Sequence, residues 1–284
     1  MGHSTIRVGP RVGPRVRGAG GVEIATYHLG GDGPPVLLLH ATGFHGRCWL
    51  PLAPALTASF SVWAIDHRGH GSSGKAARYD DWSVLRDDTL AVVDALGGPP
   101  FLAAGHSLGG ALAVLAEQHR PGTFPRIYLY EPIVFPPAPP RKGRDLATAA
   151  RKRRSHFSSR EAARSNYAGK LPFSRFTPEA LDAYVNYGFV DLPDGTVTLA
   201  CARDDEASVY EGAMRHDGFE HLPEVQGPVT VARGGHDGDM GIEVQAAVSG
   251  RLPHARTETF DRLSHFGPME DPLVVGAAIA GAFA

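Results

Sequence analysis

The sequence predicts an α/β protein with a mostly parallel sheet covered by helices on both faces, and three observations carry that prediction. From about residue 22 onward, short apolar runs alternate with segments of helical spacing. A Gly-x-Ser-x-Gly sequence, Gly105-His106-Ser107-Leu108-Gly109, lies between one such run and one such helix. The rhythm then breaks over 136–222, in a stretch that opens on Pro136-Pro137-Ala138-Pro139-Pro140.

Residues 1–20 hold the tandem Val8-Gly9-Pro10-Arg11 and Val12-Gly13-Pro14-Arg15, with little to bury and prolines that interrupt a ladder, so they read as a flexible arm. Strands are expected over 22–29, 36–40 and 61–66. Over 82–96, Trp82, Leu85, Val92, Val93 and Leu96 fall on one side at helical spacing, and Gly97 supplies the stop. A strand over 101–104, a helix over 108–119 ended by Pro121-Gly122, and a strand over 127–130 follow. Strands over 229–232 and 257–260 and a terminal helix over 272–283 complete a core made of 21–135 and 223–284. The stretch 136–222 reads as a helical cap inserted between two core strands, with helices around 160–167 and 178–187. Its basic run, Arg151-Lys152-Arg153-Arg154, is expected to be a solvated face, because four adjacent residues on a helix point in several directions.

Composition narrows the class. The 284 residues are 43% hydrophobic, which suits one large domain with an insertion, since single cores stop growing at roughly 250–300 residues. Lys+Arg 28 against Asp+Glu 30 leaves a charge of -2, so bulk charge calls for no nucleic-acid or membrane partner. Cys48 and Cys201 are too few for a disulfide framework or a thiolate zinc site, and read as small apolar fillers. With no leader-like apolar run and no long apolar span, a cytoplasmic location is the expectation.

The Gly-x-Ser-x-Gly segment is where chemistry is concentrated. A serine hydroxyl exposed on a strained turn from strand to helix needs small residues two places before and after it, because the backbone there approaches itself closely. Ser107 is then a candidate nucleophile, and it needs a base and a group to orient that base. Past the later strands the chain offers Asp237, in Arg233-Gly234-Gly235-His236-Asp237, and His265, in Ser264-His265-Phe266-Gly267-Pro268. Both stand at strand ends, where a parallel sheet builds its site.

From about Val22 to the C-terminus the chain resembles the α/β-hydrolase superfamily, in its serine-nucleophile, esterase-like branch. The likeness rests on His40-Ala41-Thr42-Gly43-Phe44 with Trp49, on Asp66-His67-Arg68-Gly69-His70-Gly71-Ser72-Ser73, on 105–110, on Gly234-x-x-Asp237, and on His265-Phe266 before Glu270-Asp271-Pro272. The resemblance implies Ser107 as nucleophile, Asp237 as acid and His265 as base, with the backbone amides of Thr42 and Leu108 as the oxyanion hole. Asp239 and Glu131, the latter just after the strand over 127–130, are the alternative acids. The implied reaction is cleavage of a carboxylic ester in a small acyl substrate, without cofactor or metal. Lactone, thioester or C-C cleavage, acyl transfer or perhydrolysis, and a weakly catalytic ligand-binding role are the other readings. His40, His45, His67, His70, His106 and His236 read as structural or loop residues, because none matches a helical zinc motif. Asp66 and Arg68 read as braces of a turn, and Phe44 and Trp49 as core residues beside the sheet.

Overall fold

The computed structural model describes residues 11–76, 78–137, 145–236 and 238–284. At its N-terminal end β1 (Arg11–Val12) pairs antiparallel with β4 (Thr26–Gly30), and between them β2 (Val16–Arg17) pairs with β3 (Glu23–Ile24). The flexible-arm reading is therefore corrected for 11–20, while 1–10 lie outside the described residues. Proline does not prevent this pairing, because an edge needs no donor from it. The Pro14 carbonyl accepts from Thr26 Oγ1 at 2.7 Å, Gly13 N–H donates to Thr26 O at 2.8 Å, and Val16 is buried. The strand expected over 22–29 is split at Ala25, whose N–H leaves the ladder for Ser73 Oγ at 2.8 Å.

The core continues through β5 (Pro35–Leu39), β6 (Ser61–Ile65), α1 (Trp82–Ala95), β7 (Leu102–His106), α2 (Leu108–His119) and β8 (Ile127–Tyr130). The inserted region holds α3 (Leu146–Lys152), β9 (His156–Phe157), α4 (Arg160–Ala168), α5 (Pro178–Tyr187), β10 (Phe189–Asp191), β11 (Val197–Leu199) and α6 (Arg203–Gly212). It is not purely helical, since its strands form a small antiparallel sheet ordered β10-β11-β9. The chain then returns as β12 (Val229–Gly234), α7 (Gly238–Arg251), β13 (Ala255–Phe260), the one-turn α8 (Gly267–Glu270) and α9 (Pro272–Phe283).

The main sheet runs β1-β4-β6-β5-β7-β8-β12-β13, parallel from β6 to β13 and antiparallel at β1 and β4. Its central strands are apolar on both faces because both are covered. Val36 and Leu38 of β5 join the core that holds Val275 and Ile279 of α9, whereas Leu37 and Leu39 join Val92 of α1, Leu112 of α2 and Val248 of α7. Asp66 and Arg68 brace the turn after β6. Asp66 accepts from Tyr27 Oη at 2.6 Å and Gly46 N at 2.7 Å, while Arg68 grips Asp88 through Nε and Nη2 at 2.5 and 2.6 Å. Among the described residues no helix is long and apolar enough to cross a membrane.

Candidate active site

The turn from β7 into α2 is as tight as the sequence pattern requires. Ser107 has φ 55° and ψ -114°, a left-handed conformation that costs a non-glycine residue of order 1–3 kcal/mol and is tolerated where the surroundings hold it. Its N–H donates to Tyr130 O of β8 at 3.0 Å, and its carbonyl accepts from Ile133 N at 3.3 Å. A Cβ on Gly105 would stand 2.4 Å from the Gly109 carbonyl carbon, and one on Gly109 would stand 2.1 Å from the Leu39 oxygen. Both obstacles are backbone, which cannot step aside. Gly109→Ala is accordingly expected to cost about 3 kcal/mol or more, at the upper end of overpacking effects, read as a large drop in melting temperature or loss of soluble protein. A variant that melts with the wild type would mean that the elbow is looser than this.

His265 stands in the loop after β13, and three side chains tie that loop to the core. His106 Nε2–H donates to His265 O at 2.8 Å, Tyr130 Oη donates to Ser264 O at 2.8 Å, and Glu270 accepts from Ser264 N at 2.8 Å and Ser264 Oγ at 2.5 Å. Burial and the nearby His265 ring hold the His106 ring well below the usual histidine pKa, so it stays neutral and keeps its single role. The sequence reading missed this positioning role of His106, which is visible only once the strand and the loop are side by side.

The carboxylate that meets His265 is Glu131. Its Oε2 lies 2.7 Å from His265 Nδ1, and its Oε1 accepts from Gly234 N at 2.9 Å. Glu131 itself has φ 43°, the second non-glycine residue of positive φ among the described residues, while its N–H extends the β8–β12 ladder to Ala232 O at 2.8 Å. Asp237 lies outside the described residues, as does the side chain of Asp239. With Nδ1–H donated to Glu131, the unprotonated His265 nitrogen is Nε2, the one that can take a proton.

Thr42 and Leu108 stand where the sequence expected them, after β5 and at the first residue of α2. Neither amide makes a hydrogen bond within the described residues, and the Leu108 N–H belongs to the unsatisfied first turn of a helix. The neighbouring Gly43 N–H is already given to His70 Nε2 at 3.1 Å. That bond is part of a histidine scaffold. His70 Nδ1–H donates to Arg68 O at 3.0 Å, His40 Nδ1–H to Ala41 O at 2.7 Å, and His67 N–H donates to His40 Nε2 at 3.0 Å. Ring nitrogens spent on backbone groups fix the course of the loop 40–44.

These histidines also make a pH prediction. Burial holds His40 and His70 below the ordinary value and pushes His67 down to about 3. Below pH ~6.5 the unfolded chain takes up protons at these rings and the folded chain does not, so stability present above ~6.5 is lost progressively as pH falls toward about 3. One such ring removes up to about 2 kcal/mol by pH 5. The melting temperature should fall by several degrees between pH 7.5 and 5. Asp88 and Glu117, whose carboxyls burial raises, act in the opposite direction, so the rings are read directly by NMR titration of the folded protein, and imidazoles that take up protons between pH 7.5 and 5 would show that they are not held neutral.

Ser107 and His265 open into one cavity of about 1290 Å³ between core and inserted region. Phe44, Phe173 and Phe266 make its wall apolar, and Phe44 is thus a cavity residue, whereas Trp49 is buried core. Of the basic run, Arg151, Lys152 and Arg154 are exposed as expected, and Arg153 departs from the solvated face. Arg153, Lys152 and Arg154 all line the cavity, and Arg153 turns inward onto Glu206, Tyr167 and Tyr184 because those groups offer it acceptors.

Thr42 Oγ1 is buried without a hydrogen-bond partner among the described residues. An unpaired buried hydroxyl costs about 1–3 kcal/mol, so Thr42→Val should raise the melting temperature by about 2 °C or more and leave kcat within a few-fold, as a backbone donor requires. A loss of kcat beyond tenfold in folded Thr42→Val would give the hydroxyl a role in the reaction.

Solved structures and curated sequences agree with this architecture. The crystal structure of E-2-(acetamidomethylene)succinate hydrolase superposes with a TM-score of 0.79, at 20% identity, over 96% of this chain and 99% of that one. The dihydrolipoyllysine-residue acetyltransferase component of the acetoin cleaving system of Pseudomonas putida is 38% identical over 102 residues, which are 36% of this chain and 28% of the relative. Human monoglyceride lipase (Homo sapiens) is 36% identical over 106 residues, 35% of each protein. The chain thus matches about a third or less of the length of these two curated relatives. A sequence model of the alpha/beta hydrolase family matches 36–278, most of the chain and every element described above around Ser107, Glu131 and His265. The chain belongs to the alpha/beta hydrolase family.

Proposed function

We propose that the protein hydrolyses a carboxylic ester or a related acyl bond by covalent acyl transfer through Ser107. The observation that carries this reading is the strained Ser107 turn opening into the same cavity as His265, whose Nδ1 is engaged by Glu131 at 2.7 Å. Glu131 holds the ring with Nε2 unprotonated. His265 then takes the Ser107 proton as the oxygen attacks the acyl carbonyl, and the Thr42 and Leu108 amides receive the developing oxyanion. Collapse expels the alcohol with that proton, and a water activated by the same ring releases the acid and regenerates Ser107. The small-molecule acyl substrate enters through the cavity, and the parts named need no cofactor or metal.

The lipase name of one relative supports an ester as the first substrate to try, and the acetyltransferase name of another supports transfer to an acceptor other than water as the second reading. A fluorophosphonate probe is expected to label Ser107 rapidly, with the label mapped by peptide mass, and a panel of p-nitrophenyl esters and lactones to show turnover that the label abolishes. No labelling of folded protein would defeat the acyl-enzyme reading. Product partition toward an added alcohol would select the transferase reading.

A further inference from the structure

On the inserted side of the cavity a polar cluster is set into the apolar wall. Arg153 donates from Nη1 to Glu206 Oε2 at 2.6 Å, and from Nη2 to the hydroxyls of Tyr167 at 2.9 Å and Tyr184 at 2.7 Å. A guanidinium has five N–H groups. Among the described residues the Nε–H and the second Nη1–H of Arg153 have no protein acceptor, and the two phenol oxygens, which accept from Arg153, still have their own O–H to donate. Against these donors stands one uncommitted acceptor, Glu206 Oε1, on a carboxylate whose charge Arg153 already balances.

The rest of the lining carries both signs, with cations in excess. Lys152, Arg154 and Lys170 line the cavity outside any ion pair among the described residues, although Lys152 is near enough to Asp145 to help lower its pKa, while Glu211 is held by Arg151 at 2.7 Å and Asp145 caps α3 through the Thr148 N–H. Cations around a cleft draw in anions. The cluster also lies against the loop that carries Thr42, since a Cβ at Gly43 would stand 2.7 Å from Glu206 Oε1 and 3.5 Å from Arg153 Nη1. A group bound there would share the cavity with Ser107 and stand beside that loop.

We propose that Arg153, Tyr167 and Tyr184 receive a carboxylate on the acyl part of the substrate, so that half-esters of short dicarboxylic acids are preferred over neutral esters of the same length. This rests on the hydrolase reading above and names its substrate class: water and a half-ester give the dicarboxylate and the alcohol. Arginine and phenol donors suit a carboxylate because charge-assisted hydrogen bonds are the strong ones, and a neutral alkyl end would leave every one of these donors unpaired.

The test compares kcat/KM of the purified full chain on monomethyl succinate and monomethyl glutarate with methyl butanoate and methyl pentanoate, by acid release at pH 7.5. Wild type should favour the half-esters by about tenfold or more, and added salt should reduce that ratio. Tyr167→Phe/Tyr184→Phe removes the two hydroxyls and keeps the rings, and the ratio should fall at least about fivefold, chiefly through KM of the half-esters. If the tyrosines only brace the wall, charged and neutral esters fall together and the ratio holds, which overturns the proposal. So does equal turnover of the two classes, or no turnover of half-esters. Fluorophosphonate labelling of Ser107 is read separately, so the carboxylate site can fail while the serine-hydrolase reading stands.

Discussion

Replacing Ser107 or His265 by alanine is expected to lower kcat on an activated ester by about 10⁴ to 10⁶, and replacing both should be little worse than replacing either. The reason is that, in the proposed acyl transfer, the two side chains perform one event. Without the Ser107 oxygen there is no acyl-enzyme, and the base has no proton to take. Without His265 the hydroxyl keeps its proton, and its nucleophilicity is that of an ordinary alcohol. What survives in all three variants is the cavity and the amides of Thr42 and Leu108, which in the proposed mechanism place and polarise a carbonyl for attack by water. Ser107 is almost fully buried, so the Ser107→Ala change removes one oxygen from a packed turn and should hardly move the melting temperature. His265 keeps its loop through backbone bonds to His106 and Tyr130 that the alanine variant retains. Steady-state rates beside melting curves make the check. Losses that multiply in the double variant would mean that Ser107 and His265 work in separate steps, and the single shared mechanism would be wrong.

The parts of the fold that announced themselves in the sequence are those where one physical demand acts on neighbouring residues. The β5 run is apolar at every position because both of its faces are covered, and Pro272 to Phe283 reads as a helix because Asp271 caps Val274 N and Pro272 sits at the first turn. The elbow was legible because Gly105 answers a collision with Gly109 backbone a few residues on, although Gly109 itself answers one with Leu39 of the adjacent strand. The inserted region was less so. Strands β9, β10 and β11 have two or three residues each, too few for a period to show, and α7 begins among Gly238-Asp239-Met240-Gly241, which carry no apolar stripe. Arg153 illustrates the limit best. Its partners lie 14, 31 and 53 residues away along the chain, so nothing in Arg151-Lys152-Arg153-Arg154 marks the third residue as the one that turns inward. The N-terminal arm shows the converse, where composition suggests no structure and an existing sheet edge supplies it.

Glu131→Gln is expected to cost about 10³ to 10⁴ in kcat, whereas Asp237→Asn should leave activity within a few-fold. Glutamine is nearly isosteric, and its amide oxygen can keep the Glu131 bond to Gly234 N, which points the NH₂ group at His265 Nδ1. An N–H there cannot accept the ring proton. The imidazole must then turn Nδ1 into the acceptor and move its proton to Nε2, and in that tautomer it has no lone pair for the Ser107 proton. The charge that steadies the imidazolium during attack is lost as well. Asp237 follows the order Ser, acid, His along the chain, and Gly234-x-x-Asp237 is the motif that points to it in the sequence, so the two carboxylates make opposite forecasts. The geometry that favours Glu131 is direct: a 2.7 Å contact to Nδ1, a second oxygen fixed by Gly234 N, and a backbone held at φ 43° to present both. Comparing kcat for Glu131→Gln, Asp237→Asn and the double variant, each confirmed folded by its melting curve, decides between them. Near-wild-type kcat in Glu131→Gln with collapse in Asp237→Asn would return the role to Asp237, and intermediate losses that merge in the double variant would mean that the ring is oriented by both.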